Sequence, residues 1–166
     1  EKGVQLSNGN WVLFLNSNVV VDEFLVVEYM KVIALKNGLA FAGNRKYKES
    51  SDLILEKYLN HQKRGLNPYP QNNIIHFRYL LFDNCIIHES VFENIKINLE
   101  LKFYGGEELD FAYKLNNHFP NKIFSCKSAY VIRLGYPTYK KHCDRLMEFG
   151  ATNLKILSLP LKKEVV

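Results

Sequence analysis

Two adjacent carboxylates, Glu107 and Glu108, follow a glycine pair in Tyr104-Gly105-Gly106-Glu107-Glu108-Leu109-Asp110. Glycines let backbone approach a ligand closely. Acids in a first helical turn face the positive end of the helix dipole, which favours their ionised forms. An ordinary helix start has the same chemistry. A second polar group, Asn16-Ser17-Asn18, ends the apolar run Trp11-Val12-Leu13-Phe14-Leu15. Ligands of open α/β sheets bind at the carboxyl ends of strands, and asparagine is also a common turn residue. A third group, Asp83-Asn84, interrupts an apolar stretch between Leu80 and Ile87. Buried polar groups need partners; a polyhydroxyl ligand would supply them, and so would a turn or a bulge.

The elements that must carry these groups read as an α/β domain. Asn8-Gly9 marks a turn, and the run from Trp11 to Leu15 suits a strand buried on both faces, as in a parallel sheet. Asp22 can cap a helix running through Phe24, Val27, Met30 and Ile33, ended by Asn37-Gly38. Leu39-Ala40-Phe41-Ala42 reads as a second buried strand, completing strand, helix, strand. Lys46 to Asn73 is a long polar stretch with a short helix expected from Leu53 to Gln62 and breaks at Pro68 and Pro70. Loops of this length in compact domains are usually functional. Phe77 to Ile87 reads as extended, and Ser90 as the cap of a short helix. Gly105-Gly106 opens a helix with Phe111, Ala112 and Leu115 on its buried side, and Lys122 to Leu134 is extended again. A last amphipathic helix is expected after Pro137, with Cys143, Leu146, Gly150, Leu154 and Leu157 along one face.

The totals narrow the class. At 166 residues and 47% hydrophobic, the chain can bury one core. The net charge of +5 would suit nucleic acid, anionic headgroups or a sugar-nucleotide diphosphate. Its lysines are spread thinly, however, and no basic run is longer than a pair such as Lys162-Lys163, which argues against nucleic acid. Cys85, Cys126 and Cys143 lie far apart with no paired spacing, so a reduced, cytoplasmic protein is expected. No histidine stands at a zinc-ligand spacing with a cysteine. No signal peptide is expected, and no apolar run approaches the ~20 residues of a membrane span. The sequence opens at Glu1-Lys2-Gly3 without an initiator methionine, as a fragment would.

The order of the motifs carries a resemblance. Gly9 through Asn18 resembles the strand bearing the Asp-x-Asp motif in family 2 glycosyltransferases of GT-A fold, the type that builds bacterial surface polysaccharides. Phe77-Arg78-Tyr79-Leu80-Leu81-Phe82-Asp83-Asn84 resembles that family's acceptor-side strand. Tyr104-Gly105-Gly106-Glu107-Glu108 through Leu115 looks like its Tyr-Gly-x-Glu-Asp helix. Ile132-Arg133-Leu134-Gly135 resembles a segment in which a histidine usually precedes Leu-Gly. The four matches run in family order and cover nearly the whole chain, residues 1–166, as a single partial domain.

The resemblance implies a GT-A-like, partial Rossmann-type sheet with flanking helices, truncated at its N-terminus. It implies sugar transfer from a nucleotide-sugar donor to a glycan acceptor with inversion. Glu108 would be the catalytic base and Glu107 would bind acceptor hydroxyls. Asn84 would line the same pocket, and Asn16 and Asn18 would face the donor phosphates. The family usually uses Mn2+ or Mg2+ held by the Asp-x-Asp acids. Here both acids are asparagines, poor ligands for hard cations, so no metal is expected in this chain. Arg133, in place of the histidine, could offset diphosphate charge or pair with a nearby acid. The alternative is a catalytically inactive relative that binds a glycan or a partner protein. The family's first βαβ units precede the Asp-x-Asp strand, and this sequence starts just before it. The chain alone is therefore expected to lack most of the donor site, to expose a sheet edge, and to be marginally stable or self-associating. The inner face of the membrane is one place in the cytoplasm where such a protein could work.

Overall fold

The computed structural model describes residues 2–47, 53–135 and 138–165. A short helix, α1 (Lys2–Gln5), and a bend at Gly9-Asn10 lead into β1 (Trp11–Leu15). The Asn16-Ser17-Asn18 turn reverses the chain into the short β2 (Val19–Val21). Asp22 then sets the start of α2 (Leu25–Leu35): its Oδ1 accepts from the Phe24 amide at 3.0 Å, and its carbonyl accepts from Leu25 N at 3.0 Å. Such Asx turns pin a chain reversal with the residue's own side chain. Leu25, Tyr29 and Val32, spaced by helical turns, are buried against the sheet. Phe24, Val27 and Met30 instead face outward, each about half exposed.

The chain continues through β3 (Ala40–Tyr47), α3 (Leu53–Leu59), a 3-10 turn (Phe77–Tyr79), β4 (Asn84–His88) and α4 (Val91–Asn94). It ends with α5 (Glu107–His118), β5 (Ile123–Arg133), α6 (Tyr139–Ala151), α7 (Asn153–Ile156) and α8 (Leu159–Val165). The five strands form one sheet in the order β1-β4-β3-β5-β2. Only β3 and β5 run parallel; β4 is antiparallel to both β1 and β3, and β2 is antiparallel to β5.

Alternation along the central strands sends side chains to two cores. Phe41 and Ile86 pack with Leu25, Tyr29 and Val32 beneath α2. Ala40, Ala42, Cys85 and Ile87 face Phe111, Ala112 and Leu115 of α5 on the other side. This is the period-2 pattern of a sheet covered on both faces. At the middle of the sheet a polar knot crosses the strands. The Asn84 amide nitrogen donates to the carbonyls of Asn44 and Ala129, both at 2.9 Å, and its oxygen accepts from Tyr29 Oη at 2.8 Å. A Cβ on Gly43 would come within 2.3 Å of both Asn84 Nδ2 and Tyr29 Oη, so the knot closes only over a glycine. The strands also slip register between Gly43 and Asn44, as at a β-bulge, which locally bends a strand.

Three expectations are corrected. The Trp11–Leu15 segment is a strand, but it is neither central nor in a parallel pair. It lies at the sheet edge, antiparallel to β4, and is half-buried. A five-residue apolar run records that both faces are partly covered, Trp11 and Leu13 on one side and Phe14 on the other; it does not record which strands lie beside it. The stretch Phe77–Ile87 is extended only at its end, because the first residues wind into the 3-10 turn and the chain turns again before Asn84. The C-terminal helix is three helices. Thr138 caps α6, its Oγ1 accepting from Lys141 N at 3.3 Å. Thr152 then leaves helical geometry (φ −120°, ψ −93°), so Leu146 is exposed while Leu157 and Leu161 enter the core. Pro137 lies outside the described residues, as does part of the long polar stretch, where the expected helix is α3 and ends at Leu59.

Candidate active site

The carboxyl ends of β1, β3 and β5 meet the start of α5 in a two-lobed cleft. One lobe, about 360 Å³, is lined by Asn16, Arg45, Asp83, Tyr104, Gly105, Glu107, Glu108, Arg133, His142 and Arg145, with Tyr47, Leu59, Arg64 and Leu81 on the boundary. The other, about 370 Å³, shares that boundary together with Arg45 and Asp83, and adds Lys63, Gly65, Leu66, Arg78, Tyr79 and the backbone around Gly43.

The loop before α5 places the acids. Gly105 and Gly106 have φ of +79° and +97°, the left-handed region that glycine enters without strain. A Cβ on Gly106 would also stand 3.0 Å from the Phe149 ring. The buried Asn153 holds this loop from behind. Its amide nitrogen donates to the carbonyls of Phe103 (2.7 Å) and Gly105 (2.6 Å), and its oxygen accepts from Phe103 N at 3.4 Å. Asn153 is a positioning residue that the sequence reading missed. Its only signal is an asparagine inside an otherwise helical, apolar pattern.

Glu108 Oε1 accepts from the Phe82 amide at 2.9 Å. Burial first, and then the nearby Asp83 carboxylate, raise its pKa from 4.5 to about 7, against the opposing pull of the Phe82 amide and Arg45. It is thus divided between its two protonation states near neutral pH. Glu107 points one buried oxygen, Oε2, at no partner among the described residues. Asp83 is bound by the Arg45 guanidinium, and Arg133 Nη1 stands 4.0 Å from the same carboxylate. Arg133 Nε is buried and has no partner among the described residues. Burial, together with Arg64 and Arg145, holds the His142 pKa below its ordinary value, so its ring is neutral at pH 7. Arg145 and Arg64 lie over the Tyr104 and Tyr58 rings at 5.1 and 3.8 Å, contacts that keep planar cations ordered.

Of the residues singled out in the sequence, Asn16, Glu107, Glu108 and Arg133 share the first lobe. Asn84 borders the second, but its amide is fully engaged in the strand knot. Asn18 lines neither lobe; its carbonyl accepts from Leu134 N at 2.9 Å, tying the turn to the end of β5. Arg45, Arg64, Arg145 and His142 were not anticipated. They come from three separate stretches of chain, β3, the segment after α3, and α6, where His142 and Arg145 stand three residues apart.

No known protein-family profile and no curated protein sequence matches the chain. Solved structures do match in fold. TarS residues 1–349 from S. aureus superposes with a TM-score of 0.58 at 13% identity, over 87% of this chain and 41% of that one. Glucosyl-3-phosphoglycerate synthase from Mycobacterium tuberculosis, solved with Mn2+, uridine diphosphate and glucosyl-3-phosphoglycerate, gives 0.54 at 12% identity, over 93% and 52%. A further mycobacterial protein gives 0.52 at 11%, over 84% and 44%. The fold is therefore that of the GT-A glycosyltransferases: a mixed sheet flanked by helices. The chain spans about half the length of the structures it matches. Among the described residues no helix is long and apolar enough to cross a membrane.

Proposed function

We propose that this chain forms the acceptor side and the catalytic base of an inverting glycosyltransferase of family 2 type, one that uses a nucleotide-sugar donor and a glycan acceptor. The observation that carries the reading is Glu108, a half-buried carboxyl with a pKa of about 7 at the rim of a cationic cleft. A base works best when its pKa lies near the working pH. In the proposed step, ionised Glu108 takes the proton of an acceptor hydroxyl. The hydroxyl oxygen bonds to the anomeric carbon as the bond from that carbon to the diphosphate oxygen breaks, and the nucleoside diphosphate leaves with the bonding pair. Glu107, with its open buried oxygen, is placed to accept from a second acceptor hydroxyl.

The leaving diphosphate carries charge that must be met. Asn16 and Asn18 bring none, and Asp83 is already neutralised by Arg45, a donor set that does not suit a hard divalent cation. Arg133 and Arg145, with Arg64 at the boundary, offer guanidinium groups that bind phosphate oxygens in pairs. The proposed enzyme therefore stabilises its leaving group with arginine.

The test is transfer by the full-length gene product, followed against pH with and without EDTA. The rate should rise tenfold per pH unit below about 7 and level off above it. EDTA should leave it unchanged, and Glu108→Gln should lower it by roughly 10²–10⁴-fold. A Glu108→Gln protein that keeps full activity would end the assignment of the base, and complete loss of activity in EDTA would end the metal-free reading.

A further inference from the structure

The two lobes of the cleft differ in charge. The lobe with the acids balances its arginines against Glu107 and Glu108. The other is lined by Arg45, Lys63, Arg64 and Arg78, with Asp83 as its one acid, and Asp83 is paired to Arg45. The remaining three cations face no carboxylate there. The Arg78 guanidinium donates to a neutral acceptor, the Glu164 carbonyl. Arg64 is stacked on Tyr58 and keeps a buried Nη1 with no partner among the described residues. The Lys63 ammonium has no acidic partner among the described residues. Three cations converging on one concavity repel one another unless something negative enters.

We propose that this lobe is a subsite for an anionic group on the acceptor, a phosphate or a carboxylate borne by a polyhydroxyl molecule. The term acceptor rests on the transferase reading; the anion site does not. The geometry also sets the acceptor's orientation. In the proposed reaction the donor diphosphate already occupies Arg133 and Arg145 in the lobe of the acids. The charged end therefore lies with Lys63, Arg64 and Arg78, and a hydroxyl reaches across the Arg45–Asp83 boundary toward Glu108. An acceptor without charge would leave the three cations unmatched.

The experiment is titration of the full-length gene product with glycerol 3-phosphate, glycerate and glycerol, and separately with uridine diphosphate as a donor probe, read by calorimetry. Lys63 and Arg78 are both exposed, so Lys63→Gln and Arg78→Gln will not disturb folding. Each should weaken glycerol 3-phosphate by roughly two- to five-fold and the pair by about tenfold, with uridine diphosphate unaffected. Added salt should weaken the phosphate and spare glycerol. Glycerate bound as tightly as glycerol 3-phosphate, with the same losses, would identify a carboxylate subsite within the proposal. Glycerol binding as well as its phosphate would overturn it. So would an equal loss of uridine diphosphate affinity in the double variant, which would assign the lobe to the donor. Phosphate binding without any donor turnover would leave the anion site standing and sink the transferase. Donor turnover without phosphate binding would do the reverse.

Discussion

Glu108 places chemistry and stability in opposition at a single residue. Unfolded, its carboxyl ionises near 4.5; folded, near 7. Below pH 4.5 both states hold the proton and the site is neutral in the balance. Between those values the unfolded chain releases its proton while the folded chain retains it. Stability therefore falls as pH rises across this window, by about 3 kcal/mol in all. Glutamine has the same shape, still accepts from the Phe82 amide, and never ionises. Glu108→Gln should therefore match the parent near pH 4 and exceed it by about 2–3 kcal/mol at pH 8, while losing its activity. Thermal or urea denaturation at the two pH values checks this. A variant less stable than the parent at pH 8 would mean that the ionised carboxylate is well solvated or well paired, and the argument for a tuned base would go with it.

At the level of elements, the placing of Glu107 and Glu108 depends on a helix break forty-odd residues further along the chain. If Asn153 extended α6 as a helical residue, its amide would not reach the loop that ends at Gly106. Removing the side chain leaves the part-buried Phe103 and Gly105 carbonyls without this donor. Asn153→Ala should cost about 2–4 kcal/mol. It should also speed hydrogen exchange at the amides from Gly105 to Glu108 more than at the centre of α5. Uniformly faster exchange along α5 would show a general loss of stability and no specific hold on the loop. The same elements show what the sequence could and could not disclose. β3, α5 and β5 are legible because a buried strand and a half-buried helix print their periods in the order of apolar residues, and Phe111, Ala112 and Leu115 fall where expected. Glycines at positive φ likewise announce the loop before Glu107. The lateral place of β1 is not legible, since hydrophobicity reports coverage and not neighbours. The polar knot at Asn84 reads in sequence equally as ligand chemistry or as a turn or bulge, because a buried amide looks the same whether strands or a substrate satisfy it. Arg45, Arg64, Arg133 and Arg145 become one cluster only once β3, the segment after α3, β5 and α6 are folded together.

Across the whole molecule, one side is left unfinished. Among the described residues β1 pairs only with β4, so its outer edge presents free backbone groups along the uncharged run Trp11–Leu15. The opposite edge strand, β2, has only three residues, too short to template much pairing. On the face where Trp11 and Leu13 pack, α2 turns Phe24, Val26, Val27 and Met30 outward, at 56%, 56%, 48% and 51% exposure. An open edge and an apolar helix face are what another chain would cover. A second copy of this chain supplies the same edge and the same face. The 166-residue chain by itself should therefore associate, with an apparent mass in sedimentation that rises with protein concentration. Val27→Lys combined with Met30→Lys should shift it toward monomer without unfolding it, because both side chains point away from the buried Leu25, Tyr29 and Val32. Lysine on an apolar contact face must either be desolvated or hold the copies apart, at a cost of several kcal/mol per buried charge. A parent chain that sediments as a monomer at every concentration, indistinguishable from the double variant, would show that water alone suffices to cover this side.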